Sequence, residues 1–298
     1  MPTKKARGTP KKQRACVFCG STHGFSKEHV WPQWLHPFAT QGDTTRRWHH
    51  EAGFAQTDAE TFTEQPTIVT ERLGSVLTLK AREVCGSCNN GWMSQLEMRT
   101  KPLVLALMEA AAGGWSAVVS PDEAARLATW AVKTALMREL SAGTKVDRTE
   151  SYTHLRQQVL PPPECKVWLG RHAGELDFNV KQASVQVRRF DRPWDQGEVR
   201  NVLWSCLTFR GLSFLVYLVD GWGVPSPFRD PTRWRPLWPQ SAAVRFPARF
   251  DVSGKDVLEA VTVQAPSLHL PDLPVFEHHP DGIQRHRRNK FRRLPAWW

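Results

Sequence analysis

The sequence predicts an α+β fold in which a compact cysteine-held unit is followed by helices and then by an antiparallel β-rich region. Three observations carry this expectation. Two C-x-x-C pairs, Cys16/Cys19 and Cys85/Cys88, lie far apart in sequence. A fully signed helix start stands at Ser120-Pro121-Asp122-Glu123. After Pro161-Pro162-Pro163 the texture changes to short β-type runs separated by turn residues.

The elements follow in order along the 298 residues, a length sufficient for two domains. Residues 1–14 combine Lys, Arg, Gly and Pro without an apolar period and read as a disordered basic arm. Residues 15–99 read as one unit: a cysteine knuckle, a segment ending at Glu28-His29, a long polar excursion, a return strand over Val76 to Val84, the second knuckle and a helix from about Asn89. The 55 residues between His29 and Cys85 show no clear period and read as either a functional excursion or a partly ordered insertion. Residues 100–150 form a helical segment. Its first helix is introduced by Pro102 and stops at Gly113-Gly114. Its second runs from Pro121 to near Leu140, with Ser120 as N-cap, proline at the first position and Glu123 closing a capping box. Apolar residues cover most of this second helix, which marks it as buried and central.

From 151 to 278 the β-type runs are Cys165 to Leu169, Leu176 to Val180, Ser184 to Phe190, Val202 to Phe209, Leu212 to Val219 and Ala242 to Phe250. Arg210-Gly211 between two apolar strands reads as a tight hairpin turn. Residues 225–239 form a loop rich in Pro, Trp and Arg, and the many tryptophans are expected to pack the core rather than to stack on bases. Residues 279–298 form a second basic tail.

The formal charge is +11, and much of the excess sits in the two tails. Clustered cations of this kind imply a polyanionic partner. No apolar stretch is long enough to span a bilayer, and the basic N-terminus is not followed by an apolar signal core, so the expected setting is the cytoplasm, without a membrane partner. A reducing compartment also suits the cysteines, four of which fall in metal spacing, while Cys165 and Cys206 stand singly in apolar segments as core residues. The absence of a Gly-rich phosphate loop or a Gly-x-Ser-x-Gly elbow argues against a nucleotide hydrolase or an esterase.

Four thiolates in two knuckles can close a tetrahedral shell around a structural zinc ion, which makes Cys16, Cys19, Cys85 and Cys88 its expected ligands. Zinc would then bring Lys27-Glu28-His29 and Asn89-Asn90-Gly91-Trp92-Met93 close together despite their separation in sequence. Cys-x-x-Cys, Glu-His-Val-x-Pro and Cys-x-x-Cys-Asn in this order resemble the HNH endonuclease family, whose core is a ββα-metal module, over residues 16 to about 98. The continuation Asn-Gly-Trp-Met is similar to one bacterial and phage branch of it.

The resemblance implies a DNA endonuclease with structural zinc and a separate catalytic divalent ion, Mg2+ or Mn2+. It assigns His29 as the base and Glu28 and Asn89 as ligands of the catalytic ion. A helix starting one residue later would give the ligand role to Asn90 instead. These residue types suit the chemistry, because an imidazole with an ordinary pKa near about 6.5 is neutral at cellular pH, and hard oxygen donors suit magnesium. The family's central asparagine, which commonly helps orient the histidine, has no counterpart in Leu79-Lys80-Ala81-Arg82-Glu83, which leaves open whether another residue holds His29 or whether activity is weak. Arg14, Lys27, Arg285, Arg287 and Arg288 are the expected DNA contacts. A cutter of both strands with one site per chain would be expected to act as a homodimer. The alternative is a zinc-containing nucleic-acid-binding protein without catalysis.

Overall fold

The computed structural model describes residues 14–39, 46–51, 54–56, 62–64, 68–73, 75–143, 146–173, 178–188, 199–219, 232–240 and 242–258. The expected DNA contacts Arg285, Arg287 and Arg288 lie outside the described residues, as does the basic arm up to residue 13. The α+β class holds, with helices, antiparallel strands and the cysteine-held unit at the N-terminal end.

The first knuckle is a tight turn in which Cys16 N–H donates to Ser21 O at 2.8 Å and Gly20 N–H to Cys16 O at 2.8 Å. Gly20 takes φ 70°, a left-handed conformation that glycine adopts without a Cβ clash. The chain then forms β1 (Glu28–His29) and a 3-10 turn over Gln33–Phe38. The polar excursion is a nested pair of antiparallel ladders. Strand β2 (Arg46–Glu51) pairs with β5 (Ile68–Leu73), and β3 (Phe54–Gln56) pairs with β4 (Phe62–Glu64).

The expected return strand over Val76 to Val84 is mostly not a strand. Val76–Thr78 is a 3-10 turn, and only β6 (Lys80–Ala81) pairs, with Glu28 opposite Ala81 and His29 opposite Lys80. The cause is local. Val76 and Leu77 are both buried, which alternation in a half-buried strand does not allow, and Ser75 Oγ accepts from Leu77 N–H to close the turn.

The helix expected from Asn89 starts inside the knuckle. Helix α1 (Gly86–Cys88) passes through a π-type segment at Asn89–Met93, with Gly91 at φ −89° and ψ −112°, into α2 (Ser94–Gly113). Pro102 therefore lies within a helix rather than opening one. The carbonyl it cannot serve is that of Met98, whose side chain is exposed, and Thr100 Oγ donates to Leu96 O at 2.7 Å in the preceding turn.

Next come β7 (Ala117–Val119), α3 (Pro121–Ala142) and α4 (Thr149–Gln158), the last not expected from the sequence. Helix α3 begins with the complete capping box, Glu123 N–H to Ser120 Oγ and Ser120 N–H to Glu123 Oε2, and it ends at Gly143 with φ 78°. The main sheet comprises β8 (Lys166–Arg171), β9 (Phe178–Arg188), β10 (Val199–Phe209), β11 (Leu212–Val219) and β12 (Arg235–Trp238), in the spatial order β12-β8-β11-β10-β9 and antiparallel throughout. The two runs expected at Leu176 to Val180 and Ser184 to Phe190 fuse into β9. The Arg210-Gly211 turn takes φ 44° and 78°, the positive pair that a two-residue hairpin needs. The run from Ala242 to Phe250 contributes only β13 (Val244–Phe246), which pairs with β7 outside the main sheet, and α5 (Gly254–Leu258) follows.

The core is continuous from the knuckles to the sheet. Trp130 of α3 lies edge-on to Phe209 and Phe214, and Trp31 from the cysteine-held unit lies edge-on to Phe178 and Phe209 at 5.3 and 5.2 Å. No break in the buried cluster falls at residue 99 or 150. The far face of the sheet, with Trp204, Cys206 and Tyr217, is buried as well, and Trp234 and Val252 crowd Gly170 there.

Helix α3 is also fixed to its surroundings by charge. Arg148 Nε and Nη2 donate to the two oxygens of Glu139 at 2.6 and 3.0 Å, and Ser184 Oγ of β9 donates to Glu139 Oε1 at 2.6 Å. Both charged side chains are almost fully buried. Arg148→Met would leave Glu139 as an uncompensated buried carboxylate, and a loss of about 3–5 kcal/mol is expected in urea unfolding at neutral pH.

Candidate functional site

The two knuckles meet because the backbone joins them. Val17 N–H donates to Glu83 O at 3.0 Å, Ser26 N–H to Val84 O at 2.9 Å and Gly86 N–H to Gly24 O at 2.6 Å, while Phe25 forms a bridge with Cys85. The four sulfur atoms consequently lie within 4.8 Å of one another, with Cys19 and Cys85 3.5 Å apart. A zinc ion with Zn–S bonds of about 2.3 Å requires sulfur separations of about 3.8 Å, so this donor set fits the ion.

The four thiols differ in their surroundings. Burial raises the Cys16 thiol, but N–H groups of Cys85, Phe18 and Cys19 outweigh it and bring it down to about 7. Burial first, and then the neighbouring thiols, push Cys88 upward. Four sulfurs at this spacing could hold a structural metal ion such as zinc. Among the described residues this is the one cluster of three or more Cys, His, Asp or Glu side chains placed to hold a metal.

The zinc unit delivers Glu28 and His29 to neighbouring strand positions, and their side chains meet different surroundings. The His29 imidazole lines an open cleft of about 740 Å³ together with Lys27, Lys80, Arg82 and His36, closed on one side by the last turn of α3 up to Gly143. Its ring lies edge-on to that of His36 at 5.7 Å. Desolvation lowers the His29 pKa, Lys80, His36 and Lys133 lower it further, and Glu97 opposes them, so the net shift is downward. Burial and Lys80 thus favour the neutral, proton-accepting form of the imidazole.

Glu28 takes the other direction. It is 7% exposed, and its Oε1 accepts from Lys133 Nζ at 2.9 Å. The same ammonium, wholly buried in the middle of α3, donates to Glu97 Oε1 of α2 at 2.6 Å. Desolvation alone would lower the Lys133 pKa, but the two carboxylates more than offset it and the net shift is upward. Asn89 is half-buried at the helix start, with Nδ2 donating to Ser26 Oγ at 3.0 Å, which leaves its carbonyl oxygen as the atom a cation would use. Asn90 is exposed. A catalytic magnesium or manganese ion gains no support at Glu28, whose carboxylate is engaged by an internal cation rather than open to water and phosphate.

The remaining expected contacts divide as follows. Lys27 lies on the cleft. Arg14 stacks its guanidinium over the Phe25 ring at 3.9 Å, at the edge of the knuckle. Sequence reasoning missed Lys133, Glu97 and His36. Lys133 had a legible signal, being a single cation in the run Trp130-Ala131-Val132-Lys133-Thr134-Ala135-Leu136-Met137, where an unpaired charge could not be buried. Cys165 and Cys206 are buried and not part of the metal cluster, as expected. Among the described residues no helix is long and apolar enough to cross a membrane.

The fold and the cysteine cluster define a class: an α+β protein whose N-terminal unit carries four cysteines placed to hold a structural metal, with a basic, histidine-bearing cleft beside it. Comparison of the chain with family models, with curated proteins and with solved structures finds no match.

Proposed function

We propose that the protein is an HNH-type endonuclease that hydrolyses DNA phosphodiester bonds at His29. The observation that carries this reading is the position of His29: on a two-residue strand, paired with Lys80, beside a metal cluster, and facing a cleft that also holds Lys27, Lys80 and Arg82. The cations would hold the phosphate, and the neutral imidazole would take a proton from the attacking water. His36, whose ring lies edge-on to that of His29, would take the orienting role for which Leu79 to Glu83 offers no asparagine. The family resemblance adds a divalent ion, which would stabilise the negative charge on the phosphate.

The second reading is a nucleic-acid-binding protein that does not cut. The pairing of Glu28 with Lys133 favours it, because that pairing removes the carboxylate the resemblance gives to the catalytic ion.

Both readings predict DNA binding that weakens with salt, with a log-log slope of about −0.9 for each phosphate neutralised on duplex DNA. Only the first predicts conversion of supercoiled plasmid to nicked or linear forms. Binding should be followed by fluorescence anisotropy over a series of salt concentrations, and cutting by gel, with magnesium, with manganese and without either. Binding that ignores salt would count against both readings.

A further inference from the structure

The geometry points to Lys133 as a built-in cation: its ammonium occupies the place beside Glu28 that the family resemblance gives to a divalent metal ion, so Glu28 does not bind such an ion in this protein. This inference concerns the site proposed above and rests on that reading only in taking Glu28 as the carboxylate a catalytic ion would use.

Three observations carry it. The Lys133 side chain has no solvent exposure, so its ammonium has been withdrawn from water and must be compensated by partners. Its partners are two carboxylates from two other elements, Glu28 on β1 and Glu97 on α2, at 2.9 and 2.6 Å. The ammonium therefore bridges two carboxylates at a buried junction of three segments, as a cation would. Finally, the charge balance is that of an occupied site. One positive charge against two negative ones leaves a net charge of −1, whereas without the lysine two carboxylates would face each other at low exposure.

The arrangement also reaches beyond the local contact. Lys133 is 105 residues from Glu28 in sequence and belongs to the helix that carries the sheet. The helical segment that follows the cysteine-held unit thus contributes directly to the centre next to His29, and β1 is held in place by α3 as well as by the knuckles.

Manganese uptake by the zinc-loaded full chain tests this, followed by the electron paramagnetic resonance signal of free Mn2+, beside Glu28→Gln and Lys133→Ala. Glu28→Gln leaves Lys133 and Glu97 as a neutral one-to-one pair and is expected to fold. The expected result is that the parent has no manganese site that depends on Glu28: either it takes up none at one equivalent, or what it takes up is unchanged in Glu28→Gln. Lys133→Ala should lose thermal stability in divalent-free buffer and regain it, with about one equivalent of Mn2+ bound, when the ion is added. One equivalent bound by the parent and lost in Glu28→Gln would overturn the inference, as would a Lys133→Ala protein as heat-stable as the parent without any divalent ion. Because the readout is ion uptake and melting temperature, it stands apart from plasmid cutting: a protein that cuts nothing can still pass, and one that cuts can still fail.

Discussion

Removing zinc is expected to unfold the N-terminal unit and to lower the melting temperature of the whole chain. The unit has little regular structure of its own: β1 and β6 are two residues each, and the knuckle turns are joined by a handful of backbone bonds. The four sulfurs are drawn together from positions 66 or more residues apart between knuckles, and loop closure of that length must be offset by the metal. Apparent zinc binding energies of about 10–16 kcal/mol in small zinc-held peptides set the scale at neutral pH. The loss should spread, since Trp31 packs on Phe178 and Phe209 and Glu28 bonds to Lys133. Thermal unfolding followed by tryptophan fluorescence, with zinc content measured in parallel, checks this. Cys85→Ala should behave like the chelated protein. Cys165→Ala, which removes a buried sulfur outside the cluster, should keep its zinc and lose only the cost of a small cavity.

His29→Ala is expected to reduce DNA cutting by about 10²- to 10⁴-fold, the usual contribution of a positioned general base, while zinc content and DNA binding stay close to those of the parent. The separation of the two effects follows from where the side chain sits. His29 is half-buried at the rim of the cleft, with its strand held by main-chain pairing to β6 and by the Val30 N–H bond to Leu79 O at 2.9 Å, none of which needs the imidazole. The cleft cations Lys27, Lys80 and Arg82, to which the proposal gives the phosphate contacts, are left in place by the substitution. Its pKa is displaced below the ordinary histidine value, chiefly by desolvation and then by Lys80.

Much of this architecture could be read from the sequence because the signals were local. The four cysteines announced their cluster by spacing, and the structure gathers them within 4.8 Å. Ser120-Pro121-Asp122-Glu123 announced α3 to within two residues of its far end, since capping, proline placement and apolar coverage all pointed the same way. Strands β10 and β11 followed from two apolar runs around Arg210-Gly211. The failures occurred where a tertiary partner decides the outcome. Val76 to Val84 has strand-forming composition, but two adjacent buried residues and the Ser75 hydroxyl turn it into a 3-10 segment. Pro102 reads as a helix start, yet packing of Leu96, Val104, Leu107 and Met108 carries one helix across it.

At the site the same division holds. The motif singled out His29, which the structure places on the cleft, whereas the pairing of Glu28 was not legible, because its partner lies in a distant helix where the sequence shows only one lysine on an apolar surface. The nested ladders between β2 and β5 were not legible either, since Arg-Arg-Trp-His-His-Glu and Ile-Val-Thr-Glu-Arg-Leu lack the alternating apolar pattern that reveals a half-buried strand.

The most direct test of the central claim is a side-by-side plasmid assay of the parent and His29→Ala, with zinc content and salt-dependent DNA binding matched between them. The account predicts that the parent nicks or linearises supercoiled DNA and that His29→Ala binds equally but cuts at least about 10²-fold more slowly. A folded, zinc-loaded parent that binds DNA and leaves every substrate intact, or a His29→Ala protein that cuts as fast as the parent, would contradict it.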